Sequence, residues 1–153
     1  MPEPTLTTAR TPRHQLPYLF AGQAQKEAFV NEALARLDAL VQPAVAGETS
    51  APPDAPSSGD SYIVGPAATG AWTGHAGHIA VWLDTQWLFA IPTAGARVFD
   101  VASGAITVFY ESDGWHRAAA PAMPVGGATV DIEARAAIAA IVAGLHSLGI
   151  FSS

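Results

Sequence analysis

No cysteine occurs in this chain, lysine occurs once, at Lys26, and charged residues make up only 13% of the sequence. A chain without thiols has no disulfide framework, no thiolate zinc site and no cysteine nucleophile, and its redox compartment stays open. With a net charge of -6 and a single lysine among seven Lys and Arg residues, there is no basic stripe to neutralise a run of phosphates. Nucleic acid and anionic membrane are therefore excluded as expected partners. The longest apolar run, residues 136–145, is too short for the roughly 20 residues a bilayer span needs. The first twenty residues lack the basic start and apolar core of a secretory signal. The expectation is synthesis in the cytoplasm, with release by lysis or as part of a particle.

What the chain has in abundance is apolar surface. Half of its residues are hydrophobic, which argues against disorder and, beside so little charge, predicts that part of the surface is covered by another chain. Residues 1–22, with prolines at 2, 4 and 12, read as an extended arm ending in an apolar plug, Pro17, Tyr18, Leu19 and Phe20. In the following stretch Phe29, Ala33, Leu37, Leu40 and Val41 recur at helical spacing, predicting an amphipathic helix over 23–42 inside a segment 23–46. Residues 47–59, rich in Pro and Ser, read as a linker.

From 60 to 120 the period becomes strand-like. SYIVG, HIAVWL, QWLFAI, ARVFDV, AITVFY and GWHRAA predict an antiparallel β-meander of about six short strands. Residues 121–153 end in an apolar helix with Ile138, Ile141, Val142, Leu145 and Leu148 on one face, capped by Asp131 or Thr129 and closed by Gly149. The fold class expected is α+β: arm, helix, small meander, C-terminal helix. The two helices either pack on their own sheet or meet sister copies. For the second case Phe29, Leu37, Leu40, Ile138, Ile141 and Leu145 form the expected oligomer interface, and the 17–20 plug the expected docking point on a larger assembly.

One hairpin is written twice. Ile79, Val81, Trp82, Leu83, Asp84 and Trp87 match Ile106, Val108, Phe109, Tyr110, Glu111 and Trp115, with one extra residue in the second turn. The aromatics cluster here, and Trp72, Trp87, Tyr110 and Trp115 are candidates for a platform stacking on sugar rings, against the simpler reading of a sheet core short of Leu and Ile.

Enzymatic chemistry finds no footing. His75 and His78 sit in a Gly-rich turn with no third histidine nearby and only Asp84 as a plausible carboxylate, so they read as turn residues and no metal or cofactor is expected. Asp84 with Glu111 or Asp113 is the one carboxylate pair to consider, and equivalent turns carry such residues for turn geometry. There is no phosphate loop and no nucleophile elbow.

The stretches LPYLFAGQAQKEAFVNEALARLDALVQ, GDSYIVG, ATGAWTGHAGHIAVWLDTQWLFAIPTAG and the ending DIEARAAIAAIVAGLHSLGIF resemble the DUF2793 family. That family occurs in alphaproteobacterial prophages and in gene transfer agents, and the resemblance covers residues 14–118 and extends to the final helix. It implies a virion part, the base or adaptor of a head spike or tail fibre. The implied partners are other virion proteins at a capsid vertex or fibre, sister copies in a pentamer or trimer, and host surface polysaccharide. It implies no catalytic residues.

Overall fold

The computed structural model describes residues 10, 11, 13, 16, 18, 19 and 26–152, and the side chains of 26–29 stand outside that description. The elements run α1 (Lys26–Leu40), β1 (Ala44–Val45), β2 (Glu48–Thr49), β3 (Ser61–Val64), β4 (Ile79–Leu83), β5 (Gln86–Ala90), β6 (Arg97–Asp100), β7 (Ala105–Tyr110), β8 (Gly114–Arg117) and α2 (Ile132–Ser147). The fold is α+β with a helix near each end.

The six strands predicted by alternation are β3 to β8. They do not form one meander: they divide between two four-stranded sheets, ordered β2-β3-β4-β5 and β1-β6-β7-β8. The break falls after β5, where Pro92 has no N–H to continue a ladder. Two residues of the expected linker, Glu48 and Thr49, pair with Ile63 and Val64 as a short parallel strand, and Ala44 and Val45 do the same with Phe99 and Asp100. The chain accordingly divides into two units, 1–43 with 48–91, and 44–47 with 92–153.

The two units are one plan used twice, and the duplication is longer than the hairpin. Ser61 faces Val81 and Ile63 faces Ile79 across β3 and β4, as Arg97 faces Val108 and Phe99 faces Ile106 across β6 and β7. Trp82 pairs with Trp87 in the first hairpin and Phe109 with Trp115 in the second, with ring centroids 5.1 and 5.2 Å apart. Upstream, Gly59 and Asp60 bracket Trp82 through backbone hydrogen bonds as Gly95 and Ala96 bracket Phe109. The sequence signature is Pro56-Ser-Ser-Gly59 and Pro92-Thr-Ala-Gly95, each glycine at positive φ. The main difference lies between the second and third strands: the first unit carries the long loop 65–78, the second the tight turn 101–104.

In the first unit α1 lies against β5 and buries Ala35, Asp38 and Ala39, small residues that let helix and strand approach closely. Leu37 and Leu40, on the predicted apolar stripe, remain exposed. The helix is held from the preceding segment. The Arg13 guanidinium donates to the carbonyls of Asp38, Ala39 and Gln42, satisfying C-terminal groups that an α-helix leaves open. Thr11 Oγ1 donates to Asp38 Oδ1 at 2.6 Å and Arg13 N–H to Oδ2 at 2.9 Å, and Asn31 exchanges two hydrogen bonds with the Leu19 backbone. Where it is described, then, the expected arm is stapled along α1.

In the second unit Val98, Asp100, Ala105 and Thr107 point to one face of the sheet and are buried. Asp100 builds the 101–104 turn by accepting from the Ala102 and Ser103 N–H groups, and its second oxygen takes a 2.7 Å bond from Arg117. Asp131 caps α2 by accepting from Ala134 N–H, and Gly149 at φ +68 follows its end, both as the sequence predicts. No residue of α2 is buried.

Candidate functional site

The long loop 65–78 is the feature that the first unit has and the second lacks. It is a chain of tight turns closed on β3 by Val64 N–H to His78 O and Gly77 N–H to Val64 O. A short 3₁₀ turn, Gly70–Trp72, drives the Trp72 indole into the sheet, where it packs with Val64 and Ala80 and is 0% exposed. Trp87 stands edge-on to it at 5.0 Å and Tyr62 lies tilted at 5.7 Å. Beyond Trp72 the loop lays His75 flat on Phe89, centroids 3.7 Å apart and planes within 2°.

A cleft of about 640 Å³ opens beside these rings. Its apolar wall is Trp87, Leu88 and Phe89 of β5 with Leu83 of β4 and Ala35 of α1; Asn31, Glu32 and Arg36 of α1, Gln86, His75 and Tyr18 supply the polar groups. Glu32 and Arg36 pair at 2.9 Å while both stay solvated. Burial, then the charges of Asp38 and Asp84, raise the Tyr18 phenol above its ordinary value, so it remains a neutral donor. His75 Nδ1 and His78 Nδ1 are 3.3 Å apart, a distance at which one ring donates and the other accepts. Burial first and His75 second hold the His78 pKa below the usual 6.5, keeping that imidazole neutral near pH 7.

This arrangement suits recognition of a small polar ring: an aromatic wall and several polar donors and acceptors. Among the described cleft residues Glu32 is the one carboxylate, and it pairs with Arg36. Asp84 belongs to the first unit, Glu111 and Asp113 to the second. Among the described residues no three His, Cys, Asp or Glu side chains converge as for a metal.

The predicted aromatic platform does not assemble as one surface. Trp72 is a core residue with no face open to a ligand, and its role passes to Trp87, which it supports from behind. Tyr110 and Trp115 belong to the second unit and sit on opposite faces of its sheet, because Tyr110 pairs with Gly114 and strand side chains alternate. Tyr110 is 54% exposed beside His116, whereas Trp115 is half-buried against Phe109. Of the docking plug, Tyr18 lines the cleft and Leu19 is exposed, while Pro17 and Phe20 lie outside the described residues. Of the predicted oligomer contacts, Leu37, Leu40, Ile138 and Ile141 are exposed, Leu145 is half-buried, and the Phe29 side chain lies outside the description.

Sequence reasoning did not single out Phe89, Arg36, Asn31 or Gln86 as site residues, and it read His75 as a turn residue. The available signal was the unequal spacing of the repeat: once Pro56 is aligned with Pro92, GPAATGAWTGHAGH stands out as an insertion in one copy.

The family model described as "Protein of unknown function (DUF2793)" matches residues 30–116, which takes in most of α1, the whole first sheet and the second as far as β8. No curated protein matches the chain.

Proposed function

Because this chain belongs to the DUF2793 family, we propose that it is a structural component of a phage-like particle, a gene transfer agent or prophage, serving as the base or adaptor of a head spike or tail fibre in attachment to the host surface. The observation that carries the reading is α2, a 16-residue helix in which 11 residues are Ala, Ile, Val or Leu and none is buried, an apolar surface that calls for cover. An assembly partner accounts for it. Folding in the cytoplasm and incorporation into a particle released by lysis also suit a chain with 13% charged residues. The test is to purify particles from a producing strain and probe them for this chain. It is expected to co-sediment with intact particles, and particles made without it are expected to lose adsorption to host cells. Recovery only in the particle-free supernatant overturns the proposal.

A second reading is supported by the cleft of the first unit: a lectin-like module holding host capsular polysaccharide on Trp87 and the His75–Phe89 stack. Capsular polysaccharide is then expected to quench tryptophan fluorescence, and Trp87→Ala to abolish the effect without unfolding. A titration with no spectral change and no retention on a capsule column refutes it.

A further inference from the structure

Resting on the reading of this chain as an assembly component, we propose that the open face of the second sheet is the docking site for helix α2 of a second copy of the chain. The strand registers give each residue of that face a counterpart in the first unit: Phe99 matches Ile63, Ile106 matches Ile79, Val108 matches Val81 and His116 matches Leu88. All four counterparts are buried. None of the four in the second unit is, although three remain large and apolar. The plan of the repeat is thus a sheet covered on both faces, and the second copy of the plan lacks its cover. A groove of about 330 Å³ lies open there, between Ile106, Val108, Tyr110 and His116 and the tail residue Ile150.

The uncovered face and the helix belong to the same unit, yet no residue of α2 is buried there. The C-terminal end of α2 is pinned at the margin of the open face: Ile106 N–H donates to Gly149 O at 2.6 Å, Phe151 bridges to Ala118, and the Gly149 backbone lies close against the Phe99 ring. At the other end the Arg135 guanidinium donates to the Pro124 and Gly126 carbonyls. Held this way, α2 keeps Ile132 76% and Ile141 63% exposed. Face and helix are therefore neighbouring, unsatisfied apolar surfaces of one molecule, and two copies that exchange helices bury both at once in a closed pair or ring. Charge agrees with this. Among the described residues Arg97, at the rim of the face, has no carboxylate partner and Glu133, in the first turn of α2, has no cation partner. Exchange brings an acidic helix start to a basic rim.

The natural absence of cysteine makes the test clean. His116→Cys and Ala139→Cys are prepared as separate full-length proteins, one with a size tag, mixed, and treated with a short bis-maleimide. Both positions are exposed, so neither substitution opens a core. A cross-linked species carrying both chains on a denaturing gel is expected. Light scattering is expected to give a multiple of 15.7 kDa for the unaltered chain, and Ile141→Asp or Val108→Asp is expected to return it to one chain with unchanged circular dichroism. A monomeric unaltered chain overturns the proposal. So does a doubly substituted chain that cross-links only within itself, since α2 would then cover its own sheet, and so does an oligomer that gives no mixed species and survives both aspartates. Particle association is scored separately. An oligomer of the wrong interface that still co-sediments refutes this inference alone, and a cross-linked oligomer missing from particles refutes the functional reading alone.

Discussion

Trp72 was a candidate sugar contact by composition and is a core residue by position, and the two roles part sharply on mutation. The indole is 0% exposed and touches Trp87 and Tyr62, while its Nε1–H has no hydrogen-bond partner among the described residues. Truncation to Ala removes the ring and leaves a void under the cleft, at a cost of about 3–5 kcal/mol. Trp72→Phe is different. It keeps a six-membered ring in the same pocket and gives up about a third of an indole, ~2 kcal/mol of buried apolar surface. It also removes a buried donor whose desolvation is uncompensated, which returns about 1–3 kcal/mol. The two effects nearly cancel, so Trp72→Phe is expected within about 1 kcal/mol of the natural chain while Trp72→Ala loses several times that. Urea unfolding followed by circular dichroism gives both midpoints on one preparation. If the phenylalanine variant is as unstable as the alanine variant, the Nε1–H has a partner that holds the loop, and the account of this core is wrong.

Asp38→Ala removes the acceptor of the Thr11 hydroxyl and of Arg13 N–H and is expected to cost about 2–4 kcal/mol, read as a lower urea midpoint; a loss below about 0.5 kcal/mol would mean the 10–19 segment does not brace α1. The hairpin turns should respond in opposite directions: Gly114→Ala, forced to keep φ +82 with open space around its Cβ, loses about 1 kcal/mol, and Asp84→Gly, at φ 56, is neutral or gains a few tenths. A Gly114→Ala chain that melts like the natural one, or an Asp84→Gly chain that loses as much as Gly114→Ala, would show that the turns are not held in these conformations. For pH, the sign follows from His78: its folded pKa is depressed below 6.5, so the unfolded chain binds the proton more readily. The stability it contributes is complete above about pH 6.5 and is lost as the pH falls through the lower folded value. Urea midpoints at pH 7.5 and 5.5 are expected to differ more for the natural chain than for His78→Gln, and identical differences refute the burial of a neutral imidazole.

How much of this was legible depended on whether the pattern was local. Alternation gave β3 to β8, the Asp131 cap and Gly149 closed α2, and the Trp82–Trp87 and Phe109–Trp115 pairings were visible as a repeated string. Partition into two sheets was not visible, because a meander and two separate hairpins share one alternation; the break falls at Pro92, after β5. Which face of α1 its own unit buries was also beyond the sequence, which left Leu37 and Leu40 either on the sheet or at a sister copy. Periodicity weights Leu37 and Leu40, yet the helix seats on Ala35, Asp38 and Ala39, because close approach to β5 favours small side chains and Arg13 and Thr11 satisfy the carboxylate. Partners that lie 25 or more residues away leave no trace in a window of one helix.

A duplicated unit separates scaffold from addition. Features common to both copies, the parallel starter strand, the Pro and Gly entry and the paired aromatics of the hairpin, are what the plan needs in order to fold. Features present once call for another cause. The first copy alone inserts loop 65–78, which spends a tryptophan on a local core and sets His75 and Phe89 beside an open cleft. The second copy alone leaves a sheet face uncovered while its helix carries no buried residue. Folding explains neither asymmetry, since the other copy folds without it. Each is therefore where contact with another molecule should be sought first, a small polar ring at the cleft and a sister chain at the open face.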